Sequence, residues 1–261
     1  MTTGPQQAKP KIVILTAGGA LSRVVVNGLV ARLGPVVVIE EQPETKAQII
    51  RRRVRLLGWP KAMSQAVAGL FIRLLEPRRR GRISEILRDN GLDASARNDI
   101  EVHRVASMNG PQARQLLQSL DPAVVGVYGT RMLKASTLGS VSAPFINYHA
   151  GINPKYRGQH PGYWALASGD PNNAGVTIHL VDQGVDTGGV LYQARCAFVP
   201  KDTISSYQYV QAARALPLFA RAIEDALAGR LDPRDVELPS RQWFPPTLGN
   251  YLSNGIWRGV W

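Results

Sequence analysis

The sequence predicts an α/β fold built on a mostly parallel sheet with helices on both faces. Three observations predict it. Short apolar runs at residues 11–16, 36–40 and 123–128 have the near-continuous hydrophobicity of strands buried on both sides. Segments with helical spacing of apolar residues separate them, as crossovers between parallel strands require. Glycine and proline pairs such as Gly34-Pro35 stand between the runs as stops.

Residues 11–16 form the first expected strand, residues 21–33 the first helix and residues 36–40 the next strand, a βαβ unit. The Gly18-Gly19 turn inside it has two readings. It is a tight turn that needs small residues, or a substrate-binding cradle for a phosphate at the helix N-terminus. The spacing G-x-G-x-x-G is missing, so a dinucleotide fingerprint is not supported. Residues 46–90 are the least ordinary segment. Arg51, Arg52, Arg53, Arg55, Lys61, Arg73, Arg78, Arg79, Arg80, Arg82 and Arg88 stand there against Glu76, Glu85 and Asp89, with Ile49, Leu56, Trp59, Leu70 and Phe71 interleaved. Two amphipathic helices in a hairpin are expected, then a short third helix at residues 84–89. The segment reads either as an element that binds a membrane surface or a polyanion, or as a helical insert with one face on the core and a solvated basic face.

Further strands are expected at residues 100–105, 145–149, 175–181 and 190–194, and helices at 112–120 and 161–168. A long helix over residues 204–229 would cover the sheet. Residues 230–261 read as an irregular tail rich in aromatics: Trp243, Phe244, Tyr251, Trp257 and Trp261. Residues 1–229 would then form the main domain, with 46–90 as its basic insert and 230–261 as its tail.

Composition narrows the class of function. The chain has 261 residues, enough for one large core. Hydrophobic content of 44% and charged content of 19% belong to a globular protein. The formal net charge of +12 implies anionic company. The single cysteine, Cys196, rules out an internal disulfide and fits a reducing cytoplasm. Residues 1–10 lack the apolar stretch of a signal peptide, and no run is long enough to span a bilayer. No nucleic-acid motif was found.

The chemistry-bearing residues gather between residues 145 and 193. Period-2 alternation puts Asn147 and His149 on one face of a strand end. An amide and an imidazole side by side suit a developing oxyanion and its proton. Lys155 and Arg157, in the loop Pro154-Lys155-Tyr156-Arg157-Gly158, are cations that could meet a substrate phosphate or carboxylate. The turn-rich loop at residues 182–189 lacks the spacing and terminal Glu of a calcium loop, so a plain turn is the alternative to a site there.

The order N-x-H, P-K-Y-R-G, a Trp-Ala-Leu helix and G-V-T-I-H-x-V-D-x-G-x-D-T-G-G resembles the folate-dependent formyltransferases. That superfamily includes the glycinamide ribonucleotide, methionyl-tRNA and amino-sugar N-formyltransferases. The resemblance covers residues 124–193 densely. It implies a Rossmann-like formyltransferase domain with Asn147, His149 and Asp186 as catalytic residues. It places Arg131, Met132 and Leu133, with Val181, Asp182, Gly184 and Val185, around the pterin of 10-formyltetrahydrofolate, the cosubstrate, with no metal. His179 is expected to be structural, and His160 to serve packing. Ala150 and Asn153 depart from the family's usual Pro and Leu, which bears on pocket shape. The acceptor expected is a small-molecule primary amine, phosphorylated, on a nucleotide-linked amino sugar, since no tRNA-directed appendage is visible. The alternatives are a glycinamide ribonucleotide formyltransferase, a formyltetrahydrofolate hydrolase, and a non-catalytic folate- or polyanion-binding module. The sequence leaves the oligomeric state open.

Overall fold

The structure is a computed structural model that describes residues 11–75 and 80–261. The expectations for residues 1–10 and for Glu76, Pro77, Arg78 and Arg79 lie outside the described residues. Strands β1 (Ile12–Thr16), β2 (Val37–Glu41), β3 (Glu101–Val105), β4 (Val124–Tyr128) and β5 (Phe145–His149) run parallel to one another in a seven-stranded sheet. Strands β7 (Gly175–Leu180) and β8 (Val190–Arg195) complete it antiparallel, in the order β3-β2-β1-β4-β5-β7-β8. The chain builds outward from β1 through β2 to β3, then returns to the other side of β1 with β4. A crevice opens where strand order reverses in this way, beyond the carboxyl ends of the strands.

Both faces of the sheet are covered, and β1 shows why. Its side chains alternate. Ile12 and Ile14 pack with Val24, Val25 and Leu29 of α1 (Ala20–Leu33) and with Ala215, Phe219 and Ile223 of α8 (Tyr207–Leu227). Val13 and Leu15 pack on the opposite face with Ala113, Leu117 and Leu120 of α5 (Pro111–Leu120). A strand with no polar face fits only between two such layers.

The basic segment forms a helical hairpin, α2 (Lys46–Leu57) and α3 (Trp59–Leu75), turned at Gly58 and followed by α4 (Arg80–Asp89). The third helix is longer than the six residues expected. Thr45 and Gln48 close a capping box at the start of α2. The expected irregular tail is also corrected. After the short helices α6 (Ala135–Leu138) and α7 (Pro161–Ala167), it contributes strand β9 (Gln242–Trp243), paired in parallel with β6 (Arg157–Gly158), and helix α9 (Leu248–Arg258). Tyr251 of α9 is fully buried, edge-on to Phe71 of α3 and stacked near Tyr163. The glycines and polar residues of 248–258 hid this helix from propensity, and packing on α3 supplies what propensity lacks.

Candidate active site

Four polar side chains meet at the carboxyl end of β5. Asn147 and His149 lie on one face of the strand, as period-2 spacing requires. Antiparallel pairing sets His179 of β7 directly opposite Asn147, and a bulge follows at Ile178/His179. Asp186 reaches the group from the loop between β7 and β8. Its backbone is in the left-handed region at φ 53°, which an Asp tolerates better than most residues.

Hydrogen-bond logic fixes the tautomers of the two imidazoles. His179 Nδ1 lies 2.7 Å from the Leu180 carbonyl, so it carries the proton. Its Nε2 therefore accepts from Asn147 Nδ2 at 3.0 Å. That bond uses one amide hydrogen of Asn147 and leaves the other for the cavity. His149 Nε2 donates to the Tyr156 carbonyl at 2.8 Å, so Nδ1 is the lone-pair nitrogen of the neutral ring. His149 Nδ1 stands 3.4 Å from Asp186 Oδ2, and His179 Nε2 stands 3.6 Å from Asp186 Oδ1. A bond to the Gly158 amide at 2.9 Å holds Asp186 in place. Gly151 makes the approach possible, because a β-carbon there would run into the Tyr156 carbonyl and His149 Nε2.

The electrostatics separate the two proton-handling groups. Burial drives His149 below the ordinary histidine value, against the opposing pull of Asp186 and the Tyr156 carbonyl. Burial alone would raise Asp186. His149, His179 and the Gly158 amide outweigh it and hold the carboxyl well below the usual carboxylate range. At neutral pH the site is a neutral imidazole beside a carboxylate, and it can take up one proton from a substrate.

This cluster forms part of the wall of a cavity of about 830 Å³. Arg131, Met132 and Leu133 line it from the exit of β4, and Val181, Asp182, Gly184 and Val185 line it from the β7–β8 loop. The two groups of residues assigned to the pterin therefore face one space. Met132 is 61% exposed there, and Leu133, Val181 and Val185 add apolar surface for a flat ring to cover. The fit is through backbone and apolar groups. The Arg131 guanidinium is bound to the buried Glu41 carboxylate, with Nη2–Oε2 at 2.7 Å, so its charge braces the β2 and β4 ends.

Several expected site residues stand elsewhere or have other work. Gly18 and Gly19 do not line the cavity, and the Glu40 carboxylate sits against Gly18, where a phosphate would be repelled. The tight-turn reading fits this geometry. Lys155 is paired to Asp170 at 2.6 Å. Arg157 donates to the Val185 carbonyl at 2.7 Å and so holds the loop that carries Asp186. Neither cation lines the cavity. Two residues stand closer to the site than the sequence suggests. His179 belongs to the cluster, and register could have revealed it, since it pairs with Asn147 across the sheet. His160 also lines the cavity, from the N-cap of α7.

The family described as Formyl transferase matches residues 89–222. A methionyl-tRNA formyltransferase of Synechococcus sp. (strain JA-3-3Ab) is 34% identical over 140 residues, which is 53% of this chain and 42% of that protein. The chain thus spans less than half the length of that curated relative. Among solved structures, a sugar N-formyltransferase from Shewanella sp FDAARGOS_354 superposes with a TM-score of 0.57 at 14% identity, over 90% of this chain and 77% of that one. Glycinamide ribonucleotide transformylase 1 from Symbiobacterium toebii superposes with a TM-score of 0.56 at 19% identity, over 91% of this chain and 94% of that one. At those identities the two structures establish a shared fold.

Proposed function

This chain belongs to the formyl transferase family, and we propose that it moves a formyl group from 10-formyltetrahydrofolate to a primary amine on a nucleotide-linked amino sugar. The observation that carries the reading is the cluster of Asn147, His149, His179 and Asp186 opening into a cavity whose other wall suits a pterin.

The folate supplies a formyl carbon bonded to its N10. Asn147 offers its free amide hydrogen to the formyl oxygen as charge gathers there. His149 Nδ1 accepts a proton as the amine nitrogen bonds to that carbon, and Asp186 stabilises the imidazolium. His149 then donates the proton toward N10 as the C–N10 bond breaks. The proton taken from the amine ends on the folate nitrogen, so charge and atoms balance. Arg157 and the Gly158 amide keep Asp186 in position throughout.

The relatives named above act on methionyl-tRNA, sugars and glycinamide ribonucleotide. The sugar reading is supported by the cavity's volume of about 830 Å³ and by its wall on the basic helix α2, which suit an anionic acceptor beside a folate. A peripheral location on an anionic bilayer is supported by a second feature of the hairpin. Trp59, Val67, Leu70 and Leu74 project exposed from one side of α3, and the hairpin also exposes the cations Arg51, Arg55, Lys61 and Arg73.

Tetrahydrofolate release, followed with and without amines, tests the reading. Release that requires a nucleotide-linked amino sugar is expected. Release without amine would identify a hydrolase, and release only with glycinamide ribonucleotide or methionyl-tRNA would replace the acceptor. No release under any condition would reduce the site to a binding module.

A further inference from the structure

Among the described residues, three arginines line the cavity. Arg131 is neutralised by Glu41, and Arg52 by Glu44 at 2.9 Å. Arg53 is different. It is half-buried on α2, and among the described residues it makes no hydrogen bond or ion pair. Its neighbours sharpen the contrast. Arg52 is next to it in the chain and of the same sign. His160 is close enough that the Arg53 charge adds to burial in pushing its imidazole down to about 4, so His160 is neutral and offers no compensating charge. A guanidinium taken partly out of water without a carboxylate is costly unless something else satisfies its donors.

His160 follows Gly158 by two residues, a span of at most about 7 Å, and the Gly158 amide holds Asp186. Arg53 lines the same cavity as His160, Gly158 and Asp186, from a helix apart from the two pterin-facing segments. Gln65 of α3 lines the same cavity. Its Nε2 donates to the Pro245 carbonyl at 2.8 Å, and its buried Oε1 has no partner.

We propose that Arg53 of α2 is the anion-binding residue for the acceptor substrate, taking a phosphate or diphosphate group while the acceptor's amine lies at Asn147, His149 and Asp186. A planar fork of donors with no internal partner matches the oxygens of a phosphate. This inference rests on the proposed transfer to a phosphorylated amine. It relocates the phosphate site from the Gly18-Gly19 turn, Lys155 and Arg157 to the helical insert, and gives α2 a part in choosing the substrate.

The probe is inorganic pyrophosphate, with binding followed by calorimetry on the full chain at fixed ionic strength. Wild type should bind it, and Arg53→Gln should weaken binding at least tenfold. Arg73→Gln, at an exposed arginine outside the cavity, should bind it as wild type does. That control separates a site from general attraction to a basic protein. Arg53→Gln should keep the wild-type melting temperature, which shows that the variant is folded, and wild-type affinity for 5-formyltetrahydrofolate. Equal pyrophosphate binding by wild type and Arg53→Gln, or an equal loss in Arg73→Gln, overturns the proposal, as does absence of binding to wild type. Failure of wild type to bind 5-formyltetrahydrofolate would instead count against the transferase reading, and leaves the Arg53 comparison readable.

Discussion

At the scale of single residues, the site depends on how few hydrogen bonds are left free. Asn147 has one amide hydrogen committed to His179, and that bond aims the other. Asn147→Ala should lower kcat by about 10²–10³, as loss of an oxyanion donor does elsewhere. His179→Ala should act through the same hydrogen, so the double variant should be little worse than Asn147→Ala alone. Fully additive losses would show that His179 has a separate role. The protonation state of His149 gives a second check. Burial lowers its pKa from the ordinary 6.5, and the Asp186 charge opposes that fall. NMR titration of the ring should place its midpoint below 6.5. Asp186→Asn should move the midpoint lower still, because it removes the charge that favours imidazolium. An upward move would contradict the arrangement. Asn147 and His149 were legible because period 2 is rigid. His179 was not, because its partner across the sheet depends on antiparallel register, which the local pattern does not state.

At the scale of elements, the expected strands and helices formed because buried strands and amphipathic helices leave strong periodic signals. The missed pieces were hidden for other reasons: α9 does have amphipathic spacing, but its glycines and asparagines read as loop. Helix α9 has a polar, glycine-containing sequence, and β9 is two residues long, so both exist by virtue of what they pack on. The α2–α3 hairpin was read correctly as helices, but its position over the cavity could not be inferred, since nothing in residues 46–75 names the surface it meets. The same hairpin exposes Trp59, Leu70 and Leu74 among cations. Each basic residue near an anionic surface contributes about 1 kcal/mol. Wild type should therefore sediment with anionic vesicles and not neutral ones, less so as salt rises. Reversing charge at Arg51, Arg55, Lys61 and Arg73 should abolish this. Equal sedimentation with both lipids, or none with either, would leave the exposed side chains as mere surface.

At the scale of the whole molecule, the last thirty residues are built into the site. Trp243 stacks on Trp164 with ring centroids 4.7 Å apart and on Tyr156 at 5.8 Å, and its strand pairs with the Arg157-Gly158 segment that fixes Asp186. Trp243→Ala should lower stability by at least about 1 kcal/mol, the scale of one aromatic pair, and should slow turnover by loosening Gly158. Unchanged melting and turnover would mean that the tail is only a cover. Under the proposed function, formyl transfer would occur at the carboxyl ends of β4 and β5, between the two loop segments that line the cavity and the Asn147–His149–Asp186 cluster. A crystal structure with 5-formyltetrahydrofolate tests that most directly. It should show the pterin between residues 129–133 and 181–186, with the one-carbon end of the folate toward Asn147 and His149. A folate bound elsewhere, or bound there with its one-carbon end turned away from both side chains, would contradict it.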